Sequence, residues 1–248
     1  MAKKPRPPAI TADQLLAAYA NGYFPMALNR QDADLYWFCP EERGVLPLDR
    51  FNVPRGLARA MKKRDYRITV DQAFEPVIRA CGTLTPTRRE TWINETIVRL
   101  YTELAGKGRA HSIEVWYPRA TVPLAEDGSL PVVVTAPDTG EDYVLAGGLY
   151  GVSLGRAFFG ESMFSRAPDA SKIALVSLVI ILKEAGYQLL DTQYVNEHLQ
   201  QFGIEAWSKR RYLSHLAKAL ELKALDHGQR FTDAAARIYS HTMKGTTP

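Results

Sequence analysis

AFFGESMFSRAPDASKIALVSLVIILKEAGYQLLDTQ, residues 157–193, decides the fold. Phe158 and Phe159 open it as an apolar run that turns at Gly160. Glu161-Ser162-Met163-Phe164-Ser165 then alternates polar and apolar side chains, the period of a half-buried strand. Residues 173–182 are apolar on nearly every side, which places the helix they form in the interior. Asp169 or Ser171 is its candidate N-cap, and Gly186 its left-handed stop. Residues 187–190 read as a short buried strand ending in Asp191-Thr192-Gln193. Two strands therefore flank one core helix, and each carries polar groups: Glu161 and Ser165 on one, Asp191 and Gln193 on the other. Ligands bind at the strand ends of open α/β sheets. Singly, each of these side chains reads as a solvated strand end. Two carboxylates and an amide around an apolar wall form a candidate site.

Outward from this stretch, 143–151 and 156–164 form antiparallel strands, and 66–70 and 112–117 alternate as strands. Helical spacing runs through 71–81 (Phe74, Val77, Ile78, Cys81) and 94–106 (Ile97, Leu100, Tyr101, Leu104). Nearer the start, Thr11 caps a helix over 11–20. The aromatic segment Tyr23-Phe24-Pro25-Met26 follows. Strands 35–39 and 44–48 pair, and a helix over 53–63 carries Pro54 in its first turn. Residues 118–142, rich in Pro, Gly and acids, read as a hairpin insertion. Downstream come a short helix over 196–202, a strand over 204–207 and a last helix capped by Ser208. Beyond Asp226 the polar tail is expected to be loosely held. The class is α/β (α+β): a small N-terminal domain, 1–60, and a larger unit, 61–248, with a mixed sheet.

Composition narrows the function. Of the 248 residues 46% are hydrophobic and 23% charged, enough for a real core and too apolar for a disordered chain. A net charge of +4 permits a nucleic-acid partner, but what matters is where the charge lies. Cys39 and Cys81 stand far apart without CxxC spacing, so neither a disulfide framework nor a metal site is expected. Residues 1–8 lack the apolar core of a secretory signal, and 173–182 is too short to span a bilayer. A soluble, cytoplasmic protein with no membrane partner is the expectation.

Gly160-Glu161-Ser162-Met163-Phe164-Ser165-Arg166, Ala170-Ser171-Lys172 and Asp191-Thr192-Gln193 together resemble the leucyl/phenylalanyl-tRNA–protein transferases. So do Tyr23-Phe24-Pro25, Tyr36-Trp37, Arg43-Gly44-Val45-Leu46, Glu90-Thr91-Trp92-Ile93 and Ala110-His111-Ser112-Ile113-Glu114-Val115-Trp116. The matches are colinear. The resemblance implies that the larger unit has the fold of the GCN5-related N-acetyltransferases. It also implies the activity: transfer of Leu, Phe and less well Met from aminoacyl-tRNA to the α-amino group of proteins that begin with Lys or Arg, marking them for N-end-rule degradation. No cofactor or metal is required, and a monomer is the expectation.

Aminolysis of an activated ester needs positioning and help with one proton. Bringing two bound reactants together contributes about 7–11 kcal/mol. By the resemblance, Gln193 accepts a hydrogen bond from the attacking amine, and Asp191 polarises Gln193 or orients it. A carboxylate at Glu161 either holds the acceptor's amino group or basic side chain by a charge-assisted hydrogen bond or pairs with Arg166 or Lys172. Leu149, Phe158, Met163 and Ser165 fall on the family's pocket for the aminoacyl side chain. Exclusion of β-branched side chains there is worth about 1–3 kcal/mol per methylene. Tyr19, Trp37 and Trp92 are the implied flat faces for the terminal adenosine, where stacking contributes about 1–3 kcal/mol per base. Met26 stands where the family more often has Trp.

Lys62, Lys63, Arg64, Arg67, Arg88 and Arg89 cluster around the domain junction, as acceptor-stem phosphates require; a solvated basic face reads the same way. Two rivals remain. An acyl-CoA-dependent N-acyltransferase of the same fold needs backbone N–H groups turned to a pyrophosphate. Residues 166–171 instead offer no glycine, a proline and Asp169. A non-catalytic RNA-binding module leaves Asp191 and Gln193 without a purpose.

Overall fold

The computed structural model describes residues 10–85, 89–122, 132–136, 138–221 and 229–239. The first helix, α1 (Ala12–Ala20), starts under a capping box: Gln14 N donates to Thr11 Oγ1 and Thr11 N to Gln14 Oε1, satisfying two orphan amides. Then come β1 (Phe24–Met26), β2 (Tyr36–Phe38), β3 (Glu42–Val45), α2 (Arg55–Lys63), β4 (Arg67–Val70), α3 (Phe74–Cys81) and α4 (Glu95–Gly106). The central hairpin is preceded by β5 (Ala110–Pro118) and β6 (Val133–Thr135) and consists of β7 (Asp142–Leu154) and β8 (Ala157–Ser165). The chain ends in α5 (Ala170–Glu184), β9 (Leu189–Gln193), α6 (Glu197–Gln200), β10 (Glu205–Ser208), α7 (Lys209–Glu221) and α8 (Gln229–Tyr239).

The main sheet runs β10-β3-β9-β8-β7-β5-β4, with β6 added to β7. It is mixed, as expected: β8 and β9 are parallel, and α5 is the crossover between them. Strand alternation sends Ile113, Val115 and Tyr117 of β5 into one apolar layer and Ala110 and Trp116 into the other, the period-2 rule of a sheet covered on both faces. Helices α2, α5 and α8 pack in the first layer; α1, α3, α4 and α7 pack in the second. Within 173–182 only Ile180 reaches solvent, so α5 is the core helix its composition calls for. Gly186 adopts φ 74° after it.

Three local expectations fail. The pairing of 35–39 with 44–48 does not form: β2 turns back on β1, while β3 lies between β9 and β10 in the main sheet. Residues 42–45, assigned to the N-terminal unit, thus pair with strands of the larger one; short apolar runs do not specify their partners. Neither Asp169 nor Ser171 caps α5 by its side chain. Asp169 is left-handed (φ 67°) without a capping bond, and Ser165 Oγ of β8 accepts from Ser171 N at 3.3 Å. The tail expected to hang loosely contains α8. Phe231 of α8 is buried and stacks on Phe158 and His111, with ring centroids 5.6 and 4.1 Å away.

Candidate active site

Two cavities open at the C-terminal end of β9. The first, about 230 Å3, has an apolar wall of Leu149, Met163, Leu175, Leu178, Leu190 and Leu199. An engineered apolar cavity of about 150 Å3 takes benzene, so this one has room for a single leucyl or benzyl group. The second, about 190 Å3, is bounded by Phe24, Pro25, Met26, Trp92 and Tyr194. Glu161, Thr192, Gln193 and Asn196 line both. Tyr150 and Thr192 are among the residues that line the first cavity, and their hydroxyls are buried without a hydrogen-bond partner among the described residues.

The edge between the cavities depends on a bend in β9. Gln193 has φ 60°, a left-handed conformation unfavourable for a side chain with Cβ. Its amide donates to Asp191 Oδ1 at 2.8 Å, a local bond that offsets the strain. Gly44 of β3 makes the bend possible: a Cβ there would lie 2.5 Å from the Tyr194 carbonyl carbon and 2.8 Å from Thr192 Oγ1.

Asp191 is fully buried and lines neither cavity. Oδ1 accepts from Arg43 Nε at 2.8 Å as well as from Gln193 N; Oδ2 accepts from Arg43 Nη2 at 2.6 Å and from the Tyr212 hydroxyl at 2.8 Å. Four donors fill the carboxylate's acceptor sites. Arg43 also donates to Gly22 O and lies over the Phe24 and Tyr212 rings, 4.6 Å from each centroid. Burial pushes against the guanidinium charge, but the Asp191 carboxylate outweighs it and Arg43 stays protonated. Asp191 therefore meets Gln193 through its backbone N–H and has no acceptor site left for a ligand. In the sequence Arg43 stands out only as part of a family motif, with no sign of this role.

Glu161 faces the cavities from β8. Its Oε1 accepts from the Tyr19 hydroxyl at 2.6 Å and from Gln193 Nε2 at 3.0 Å. Its Oε2 meets the Tyr101 hydroxyl at 3.2 Å, and the two tyrosine hydroxyls touch each other. Burial pushes Glu161 up to about 8 against the hydrogen bond from Tyr19, with the Asp191 charge adding to the rise. Because Nε2 is committed to Glu161, Gln193 Oε1 has no protein partner among the described residues.

The remaining candidates divide. Leu149 and Met163 line the first cavity, and Trp92 lines the second. Trp37 is exposed on β2, opposite Pro25. Tyr19 is fully buried against Phe159, so it cannot stack on a base; it belongs to the Glu161 cluster instead. Phe158 packs against Phe231 and Tyr187 and reaches neither cavity. Ser165 is held by Ala167 O and Ser171 N. Arg64 is bound to Tyr117, Pro168 and Asp169, and Arg67 to Asp138 over the Tyr143 ring, so neither is a free cation for phosphate. Lys62, Lys63 and Arg89 are exposed. Arg88 lies outside the described residues. Tyr101, which reads in the sequence only as part of an apolar helix face, contributes its hydroxyl to the site. No described helix is long and apolar enough to cross a membrane.

An apolar hole and a second, aromatic-walled one meet at an amide–carboxyl edge, the arrangement of a site that joins two ligands. Residues 45–123 and 134–217 match the family model described as leucyl/phenylalanyl-tRNA protein transferase, and residues 9–41 match that of the family's N-terminal domain. A leucyl/phenylalanyl-tRNA–protein transferase of Paramagnetospirillum magneticum is 51% identical over 211 residues, 85% of this chain and 90% of its own. The protein of that name from Cereibacter sphaeroides is 42% identical over 240 residues, 97% of this chain and 92% of its own. The chain belongs to the leucyl/phenylalanyl-tRNA–protein transferase family, a family of aminoacyltransferases.

Proposed function

We propose that the protein moves leucine or phenylalanine, and methionine less well, from the 3′ end of aminoacyl-tRNA to the α-amino group of proteins that begin with Lys or Arg, marking them for degradation. The observation that carries this reading is the shared edge: Glu161 and Gln193 line both cavities. The first cavity takes the aminoacyl side chain; the second, with Trp92, takes the terminal adenosine. Their common edge then holds the ester carbon beside Gln193.

The amine nitrogen forms a bond to the ester carbonyl carbon, and the bond from that carbon to the ribose oxygen breaks. The proton lost by the amine ends on the ribose oxygen, so the transfer is balanced without a base that keeps a proton. Gln193 Oε1 accepts a hydrogen bond from the amine and points its lone pair at the carbon. An amide is too weakly basic to take the proton; its contribution is orientation.

Leu-tRNA is incubated with a peptide that starts with Arg and with the same peptide acetylated at its N-terminus. Transfer to the free amine alone is expected, and transfer to neither peptide defeats the reading.

A further inference from the structure

We infer that Glu161 works as a neutral carboxylic acid, closing a ring of four oxygens with Tyr19 and Tyr101, and that in this form it aims the Gln193 side-chain amide at the incoming amine. The inference rests on the aminoacyl-transfer reading above and names the state of its central acid.

A proton count leads to it. Three oxygen–oxygen contacts join these side chains: Tyr19 to Glu161 Oε1, Tyr101 to Glu161 Oε2, and Tyr19 to Tyr101. Each contact needs one proton. The two phenols bring two, and an ionised carboxylate brings none. An ionised Glu161 would leave one pair of oxygens in contact with no hydrogen between them. A protonated Glu161 supplies the third: Oε2–H donates to Tyr101, Tyr101 to Tyr19, and Tyr19 back to Oε1. Gln193 Nε2 fills the second lone pair of Oε1. Every hydroxyl hydrogen of the ring is then used.

The surroundings agree. The titratable and charged groups packed nearest are Tyr19 of α1, Tyr101 of α4, Tyr150 of β7, Asp191 of β9, Arg43 of β3 and Tyr212 of α7. Arg43, the one cation among them, is bound at two points to Asp191 and so is committed to another carboxylate. Burial lifts Glu161 to about 8 and lifts the Tyr19 and Tyr101 hydroxyls well above their ordinary range, so all three keep their protons at neutral pH.

The consequence is chemical. With Glu161 neutral and Asp191 cancelled by Arg43, the shared edge carries no net charge. It gives no advantage to an ammonium ion and admits the free amine, the form with a lone pair for attack. The acid holds Gln193 Nε2, which leaves Oε1 as the atom turned to that amine. Glu161 is thus a positioning residue and keeps its proton throughout the transfer.

Infrared difference spectra of the wild type against Glu161→Gln at pH 7 read the proton directly. The proposal expects a protonated carboxyl C=O stretch that the variant lacks; carboxylate bands in its place overturn it. The pH profile of kcat/KM, with Leu-tRNA and an Arg-initiated peptide, reads the function. The wild type rises as the peptide amine loses its proton and falls above about pH 8 as Glu161 ionises. Glu161→Gln is expected to be about fivefold slower, because its second amide hydrogen has no acceptor in the ring, and to have no falling limb. An unchanged falling limb overturns the proposal. Should that variant not fold, Tyr101→Phe removes the acceptor of the acid proton: the C=O stretch shifts if Glu161 is neutral and no such band exists to shift if it is ionised. Absence of transfer by the wild type defeats the aminoacyl-transfer reading. Transfer by a wild type with ionised Glu161 defeats the ring alone.

Discussion

Arg43 and Asp191, 148 positions apart in the chain, meet in the interior as a two-point ion pair, with Nε 2.8 Å from Oδ1 and Nη2 2.6 Å from Oδ2. The pair fastens β3 to β9 where Gln193 bends out of the sheet. Removing the cation leaves a buried carboxylate uncompensated, which costs about 3–5 kcal/mol. Arg43→Met should lower the urea unfolding free energy by about that much. Arg43→Lys should recover part of the stability and less of the activity, because an ammonium cannot reproduce the bidentate geometry that holds Asp191 against the Gln193 amide. Equal stability of Arg43→Met and wild type would remove this clamp.

The first cavity sets the choice of aminoacyl group. Leu178→Phe places more volume in its wall and should disfavour phenylalanine more than leucine. A hydrophobic pocket discriminates by about 1–3 kcal/mol per methylene, so a shift in the Leu/Phe ratio of kcat/KM on the order of tenfold is expected. An unaltered ratio would place the side chain elsewhere.

Stability should fall with rising pH above the ordinary carboxylate range. Burial lifts Glu114 from 4.5 to about 7, against hydrogen bonds from Ser112 and Thr69, and lifts Glu161 from 4.5 to about 8. Both folded-state values lie above the unfolded ones, so the folded state binds the extra protons. Their contribution is complete below about 4.5 and is lost as pH rises through 7 and 8. For Glu114 the loss is about 3 kcal/mol. Urea unfolding between pH 5 and pH 9 should show a shallower decline in Glu114→Gln than in the wild type; an identical slope removes Glu114 from the account.

The salt response should separate the basic residues. Lys62 and Lys63 are exposed, whereas Arg67 is held by Asp138. The double change of Lys62 and Lys63 to Ala should reduce the slope of log affinity for aminoacyl-tRNA against log salt by about one for each phosphate that the two lysines neutralise. Arg67→Ala should leave that slope alone. The reverse pattern would move the tRNA stem to another face.

The elements are easy to read where one physical cause acts locally. Residues 173–182 are apolar around the whole circumference, so a core helix follows from the hydrophobic effect alone. The apolar run at 187–190 puts Gln193 at a strand end, the alternation at 161–165 puts Glu161 on a strand, where it sits in the middle of β8, and both line the cavities. Tyr19 and Phe158 lie away from their expected places because an aromatic side chain serves a core or a ligand equally well, and sequence does not distinguish the two. Ser165, Arg64 and Arg67 do so because a polar side chain shows no sign of whether its partner lies within the protein. In α8 the polar composition hides a helix whose burial depends on Phe231 finding Phe158 and His111.

The amino-acid order was sufficient for the mixed sheet, the buried crossover helix, the family motifs and the positions of the amide and the carboxyl group. Folding in three dimensions chose their states. It brought Arg43 to Asp191 and thereby withdrew that carboxylate from the cavities, and it set Tyr19 and Tyr101 against Glu161. Periodicity records which face of an element a side chain takes. Charge and proton depend on desolvation and on oxygens and cations far away in the chain, and those meet only when the layers close.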